Sequence, residues 1–322
     1  MVLTIVRRIG GALITLLLAS MVLFVMIRLA PGDPVMLLLG QPGDLGINDT
    51  QLMRKRIEEK RTEFGLDKNI VTQFGRWLKN LASLNLGNSI HTGRPIAAEI
   101  GERIPATLLL SFAALAIQSL LGIAGGMYTA LKAGKIQDGM IRFVCVFFAS
   151  VPAFVIGLFL LLIFSVKFHV YEISSSADIR RLWLPAIVLG LVGAPQITRM
   201  IRAGMLSELG QTYIVFAVSR GLSKWLIIKN AFRNIFLPAV TTIALSLTHL
   251  AGGSVVIESI FSWPGIGNYA MNSIFIHDYP AIQGYAVVTV SAVIIINLAV
   301  DVVYILADPR IRKNEGRTER EQ

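Results

Sequence analysis

Residues 211–236 read QTYIVFAVSRGLSKWLIIKNAFRNIF, a polar, basic stretch set between two long apolar runs and broken in its middle by Gly221. The flanking runs are hydrophobic enough to lie in a bilayer, so the stretch has the pattern of a helix-turn-helix held out into an aqueous compartment for a partner. Gly221 is the turn, because a residue without Cβ accepts the positive φ that a reversing chain requires.

Composition sets the class of the whole chain. Of 322 residues 54% are hydrophobic and 16% charged, and the mean hydropathy is +0.65. That is too apolar for a soluble domain and reads as an all-α integral membrane protein. The net charge of +10 admits a nucleic-acid reading, but basic residues of a multi-span chain collect in cytoplasmic loops, so no nucleic-acid partner is expected. The single cysteine, Cys145, lies in an apolar run and reads as packing.

Windows of about 20 residues, the length needed to cross the hydrocarbon core, give about six spans. They fall at 9–27, 108–131, 143–166, 184–200, 237–257 and 286–306. The first follows Arg7 and Arg8 like a secretory signal, but its core is long and runs into Arg28 without a small-residue cleavage pattern, so it reads as a retained span. With alternating spans, Arg7, Arg8, Lys132, Lys135, Arg142, the cluster from Arg199 to Arg233 and Arg310 to Arg320 share one side. The positive-inside rule makes that side the cytoplasm and places both termini there. The chain divides into a tip and first span (1–30), an extracytoplasmic lobe (31–105), a core of spans (106–307) that includes the cytoplasmic loop 201–236, and a tail (308–322). Within the lobe, Gln51 to Phe64 reads as a charged helix with N-cap candidates before it. The following stretch FGLDKNIVTQFGRWLKNLASLNLGNSI (64–90) suits a short amphipathic helix, lying on the bilayer face or packed over the spans.

No catalytic or nucleotide-binding pattern is present: no HExxH, no GxSxG and no GxxxxGK[ST]. The four histidines, His91, His169, His249 and His277, have no metal-ligand spacing. Gly265 to Ala270 fits GxGxxA loosely but follows no strand, and Pro264 with its glycines reads as a turn at a helix end. Uphill transport by such a chain takes its energy from an ion gradient or from a separate ATPase.

The motifs favour the second. Ala217, Gly221-Leu222-Ser223 and the run Asn230 to Pro238 resemble the coupling loop of binding-protein-dependent ABC importer permeases. Arg28-Leu-Ala-Pro-Gly-Asp-Pro34, Phe64-Gly-Leu-Asp67, Gln73 with Trp77-Leu78, Ile104-Pro-Ala-Thr-Leu108, Ser150-Val-Pro152, Phe261 to Gly267, Asp278 to Gln283 and Asp308-Pro-Arg-Ile-Arg312 extend the likeness end to end. They are similar to the first permease subunit of the dipeptide, oligopeptide and nickel class. The chain departs from the general motif at Val215 and Phe216, where a glutamate and an alanine are usual.

The resemblance implies a type I ABC importer permease fold. It implies half of a translocation pathway shared with a second permease, two ABC ATPase subunits beneath, and an extracytoplasmic solute-binding protein above. No cofactor is expected on this chain; ATP-Mg belongs to the ATPase chains. The ATPase contact falls on Val215, Phe216, Ala217, Gly221, Leu222, Ser223 and Trp225, whose apolar members suit a groove, with basic residues at its rim. The cargo is a nickel ion or chelate or a small peptide, with a slight lean to nickel from the closing run and the segment at His277. Pathway candidates are polar residues in spans, His249, Gln118 and Gln196, and Glu258 near a span end. Arg28 and Arg199 lie near span ends and read as snorkelling side chains. The alternative class, a gradient-driven transporter or channel working alone, predicts paired carboxylates or inverted repeats near the bilayer centre.

Overall fold

The computed structural model describes residues 2–29, 55, 58, 59, 62 and 69–307, with no side-chain description at 2–9, 27–29, 251–253 and 301–307. Residues 31–54 of the lobe, most of its expected helix at 51–64, of which 55, 58, 59 and 62 are helical, residues 63–68 and the tail 308–322 lie outside the described residues. Within them the chain is helical: α1 (Val2–Leu29), α2 (Ile70–Ala82), α3 (Ile96–Leu131), α4 (Ile136–Ser150), α5 (Ala153–Leu161), α6 (Ile179–Leu209), α7 (Thr212–Ser219), α8 (Lys224–Ile260), α9 (Ile266–Phe275) and α10 (Tyr279–Ala307).

Four helices, α3, α6, α8 and α10, are long and apolar enough to cross a membrane. The expected third span is two pieces. Pro152 supplies no N–H and Val151 is extended (φ −87°, ψ 127°), so α4 stops and α5 leaves at 98° before ending in a π-helical turn at Leu162–Lys167. Hydropathy is blind to such a bend. Helix α1 carries a shorter apolar stretch, Gly10–Met26. The amphipathic segment forms α2, with no buried residue, and its Phe74 and Trp77 rings pack on Phe24 of α1 at 5.3 and 6.0 Å.

Helices α3 and α6 run parallel and interlock through glycines. A Cβ at Gly122 would come within 2.5 Å of Ile197 Cβ, at Gly126 within 2.6 Å of Ile201 Cβ, and at Gly190 within 2.5 Å of Ile117 Cγ2. Each glycine is the notch for a branched side chain, the close approach on which helix pairs in membranes depend. Helix α8 packs antiparallel to α6, with Ala231 and Ile235 among Ile201 and Met205 in one buried cluster. A second cluster gathers Leu110, Leu184, Ile257, Phe261 and Trp263, and a third, beside α9, gathers Ile96, Ile100, Ile266, Tyr269 and Ala281. The outward residues of α3, α4 and α5, such as Leu108, Phe112, Leu120, Phe143, Phe147 and Phe159, are apolar and exposed, as suits a surface solvated by acyl chains.

At the α9 end several buried charged and polar groups are hydrogen-bonded across elements. Glu258, fully buried, accepts from Thr107 Oγ1 (2.9 Å) and Ser254 Oγ (3.2 Å) on one oxygen and from the Gly267 and Asn268 amides (2.7 and 3.1 Å) on the other. A carboxylate there satisfies free amides at the start of α9 and meets its dipole. Trp263 Nε1 donates to the Ala106 carbonyl (2.8 Å) next to Pro105 inside α3, and Arg181 donates to the carbonyls of Glu172, Ser176 and Phe261. Asp278 accepts from Ser89 Oγ (2.5 Å) and from the Ile90, His91 and Ala281 amides, pinning the turn before α3 to the start of α10. Tyr269 donates to Glu99 at 2.8 Å, and burial, followed by that carboxylate, pushes its phenol far above the usual range.

Candidate functional site

The opposite end of the bundle carries α7. Its eight residues stop at Gly221, whose φ is +75°. The Gly221 and Leu222 amides donate to the carbonyls of Val218 (2.9 Å) and Ala217 (3.1 Å), closing the helix in the manner of a glycine C-cap. Ser223 then caps α8, accepting from the Leu226 amide at 3.4 Å. The expected pair of helices around a glycine is therefore present, and the second runs on without interruption into a span.

One residue of α7 faces inward: Ile214 is 5% exposed, whereas Val215, Phe216, Val218 and, on α8, Trp225 are 58–71% exposed. Ala217 and Leu222 are half-buried behind them, Gly221 and Ser223 lie at the surface, and Arg220, Lys224, Lys229 and Arg233 are exposed around the patch. This is an apolar patch with a basic rim, the form of a surface made to be covered.

What holds the corner in place was not expected. Tyr213 Oη donates to Glu208 Oε2 (2.7 Å), and Asn234 Nδ2 donates to the same carboxylate (2.8 Å) and to Tyr213 Oη (3.0 Å). The three residues belong to the end of α6, to α7 and to the first turns of α8, so they join the corner to both long helices. Burial and the Glu208 carboxylate push the Tyr213 phenol up, which keeps it a donor. Nearby, Arg202 of α6 makes a two-pronged ion pair with the buried Asp138 of α4 (2.9 and 2.7 Å), and Asp138 also accepts from the Gly134 amide. Asn234 lies inside a run that the sequence singles out, but its partners are 21 and 26 residues away and carry no local signal.

The pathway candidates do not gather into one site within this chain. Gln118 is 1% exposed in the seam between α3 and α6, its side chain filling the notch at Gly193. Glu258 is committed to the start of α9, as described above. Gln196 on α6 and His249 on α8 are exposed on the surface of the single chain.

The residues match two models of one transport family. Residues 122–313 match the binding-protein-dependent transport system inner membrane component, and residues 1–111 match the N-terminal part of the corresponding membrane component. A glutathione transport system permease protein, GsiC, of Shigella flexneri is 32% identical over 309 residues, spanning 96% of this chain and 98% of that protein. A probable D,D-dipeptide transport system permease protein, DdpB, of Escherichia coli is 32% identical over 340 residues, with 96% and 97% covered. Among solved structures, a chain of the MetNI methionine ABC transporter in an inward-facing conformation superposes with a TM-score of 0.54 at 17% identity, covering 64% of this chain and 94% of that one. At that identity the likeness speaks for the fold alone, a type I importer permease. Matched along nearly its whole length, this chain belongs to the binding-protein-dependent transport system inner membrane components, multi-span permease subunits of ABC importers rather than enzymes.

Proposed function

We propose that this chain is one permease half of an ATP-driven importer of short peptides, and that the corner formed by α7, Gly221 and the start of α8 receives the ATPase. The observation that carries this reading is that corner: an exposed apolar patch with a basic rim, tied by Glu208, Tyr213 and Asn234 to α6 and α8 at once. ATP binding would draw two ATPase subunits together beneath this chain and a second, homologous permease. A corner bound to both helices transmits that movement to them as one body, switching access from one face to the other. ATP-Mg stays on the ATPase chains, and this chain binds no cofactor. The α7 end and both termini face the cytoplasm, and a solute-binding protein delivers cargo at the α9 end.

The cargo reading moves from nickel to peptide. Its support is that the two relatives above are named for glutathione and D,D-dipeptide transport. The lean to nickel drew on His277, which sits in a turn at φ +57°, and among the described residues no group of three or more His, Cys, Asp or Glu is placed to hold a metal. The test is uptake into proteoliposomes holding both permeases and the ATPases, with the binding protein outside and ATP inside. Labelled dipeptide or glutathione should accumulate only with ATP. Accumulation of nickel alone would overturn the cargo, and accumulation without the ATPases would overturn the mechanism.

A further inference from the structure

Helix α6 is the most enclosed span: 61% of its most apolar window is buried within the chain, against 28%, 22% and 17% for α3, α8 and α10. From Leu182 to Leu209 its exposed positions are Gln196, Arg199, Ala203 and Ser207. They recur at intervals of three and four, so they form one line along a single face. The line covers about 16 Å of helix at 1.5 Å per residue, and Arg199 lies about 30 Å from the start at Ile179.

The chemistry of this line differs from that of the large exposed apolar side chains on α3, α4 and α5. The exposed faces of α3, α4 and α5 carry many Leu, Phe and Val side chains; from Leu182 on, the exposed face of α6 carries an amide, a guanidinium, a methyl and a hydroxyl. Gln196 and Arg199 stand toward the far end of the span, about 26 and 30 Å from Ile179, and at such a position an amide and a guanidinium turn toward water or protein rather than acyl chains. Arg202, one turn on, is neutralised by Asp138. Among the described residues Arg199 has no hydrogen-bond or ion-pair partner.

We infer that this line borders the aqueous inner half of the passage, and that Arg199, with Gln196 a turn above it, receives the carboxylate of the peptide cargo on its way to the α7 end. The inference rests on the peptide-importer reading above. It adds to that reading a ligand chemistry for a named residue. A planar guanidinium grips a carboxylate through two parallel N–H bonds, whereas a bare divalent cation would be repelled. The glutamine supplies both a donor and an acceptor for the peptide amide behind the carboxylate. Ala203 and Ser207 leave the wall below smooth, so the cargo has no second strong site before release.

Two measurements on the assembled transporter test this. The first uses Cys145→Ser as background, with single cysteines at Gln196, Ala203 and Ser207 and controls at Phe143 and Phe147. A charged, water-soluble thiol reagent should modify the α6 positions, not the controls, and saturating peptide should slow that modification at Gln196. Unreactive α6 positions would overturn the inference, since they would lie against lipid or a partner's surface. The second compares uptake of a peptide with its C-terminal amide, using one binding protein throughout so that its own preference cancels. Arg199→Gln should raise the half-saturating concentration for the free acid about tenfold and flatten the acid-to-amide ratio, with Arg199→Lys between. An unchanged ratio would overturn the inference, as would loss of the second permease from the purified Arg199→Gln complex, which would mark an ion pair between subunits. If the wild-type complex shows no ATP-driven uptake, the importer reading itself has failed; wild-type uptake with an unchanged variant ratio removes only the role of Arg199.

Discussion

The two ends of the bundle are built on opposite plans. At the α9 end, Glu258, Asp278, Glu99, Arg181 and Trp263 are buried and hydrogen-bonded to groups on several elements. At the α7 end Val215, Phe216, Val218 and Trp225 point outward, and the half-buried Glu208 with the exposed Tyr213 and Asn234 ties the corner to its neighbours. A network whose members are all satisfied has one arrangement, because every departure leaves a buried group unpaired. A corner held by a few exposed bonds moves with its helices, and its apolar face stays available for a partner. The α9 end is a platform and the α7 end is a handle.

That contrast breaks most visibly at Trp263. Trp263→Ala removes a fully buried indole and its bond to the Ala106 carbonyl, and should cost about 3–5 kcal/mol in unfolding of the purified protein. A melting temperature close to wild type would show that the platform is not the rigid end. Glu258→Ala leaves the Gly267 and Asn268 amides and the Thr107 and Ser254 hydroxyls without their shared acceptor, for a loss of about 1–3 kcal/mol. Its second sign should be faster proteolysis between α8 and α9.

At the other end the effects on stability shrink while those on function grow. A Cβ at Gly221 meets open space, so Gly221→Val carries only the strain of φ +75°, about 1–2 kcal/mol confined to the turn. The complex should still insert and assemble in part, with peptide uptake per ATP hydrolysed falling several-fold. Phe216→Asp should barely move the melting temperature, because the ring is 67% exposed, yet should remove the ATPase subunits from the purified complex. Retained ATPase would place the docking patch elsewhere and erase the distinction between handle and platform.

The spans were legible because about 20 apolar residues in a row have few fates other than a bilayer. Their limits were less so. Helix α6 runs from Ile179 to Leu209, beyond the expected 184–200, because Arg181 is absorbed by three carbonyls and Arg202 by Asp138, so charges that argue for a loop lie inside a helix. The third span bends at Pro152, a residue visible in the sequence whose angle depends on what α5 packs against. Glu258, a pathway candidate from its polarity alone, is enclosed by α3 and α9, which a hydropathy window cannot know.

By itself the sequence determined the class, the spans and the turn at Gly221, since each follows from a local property: apolar length, charge bias, or a backbone conformation that glycine alone adopts at ease. Only the tertiary structure decided which polar groups are spent on one another and which are left over. Glu208 finds Asn234 across 26 residues and Glu258 finds Thr107 across 151, while among the described residues Arg199 finds no one. Whether a side chain is structural or available depends on its neighbours in space, and those are set by how the helices pack.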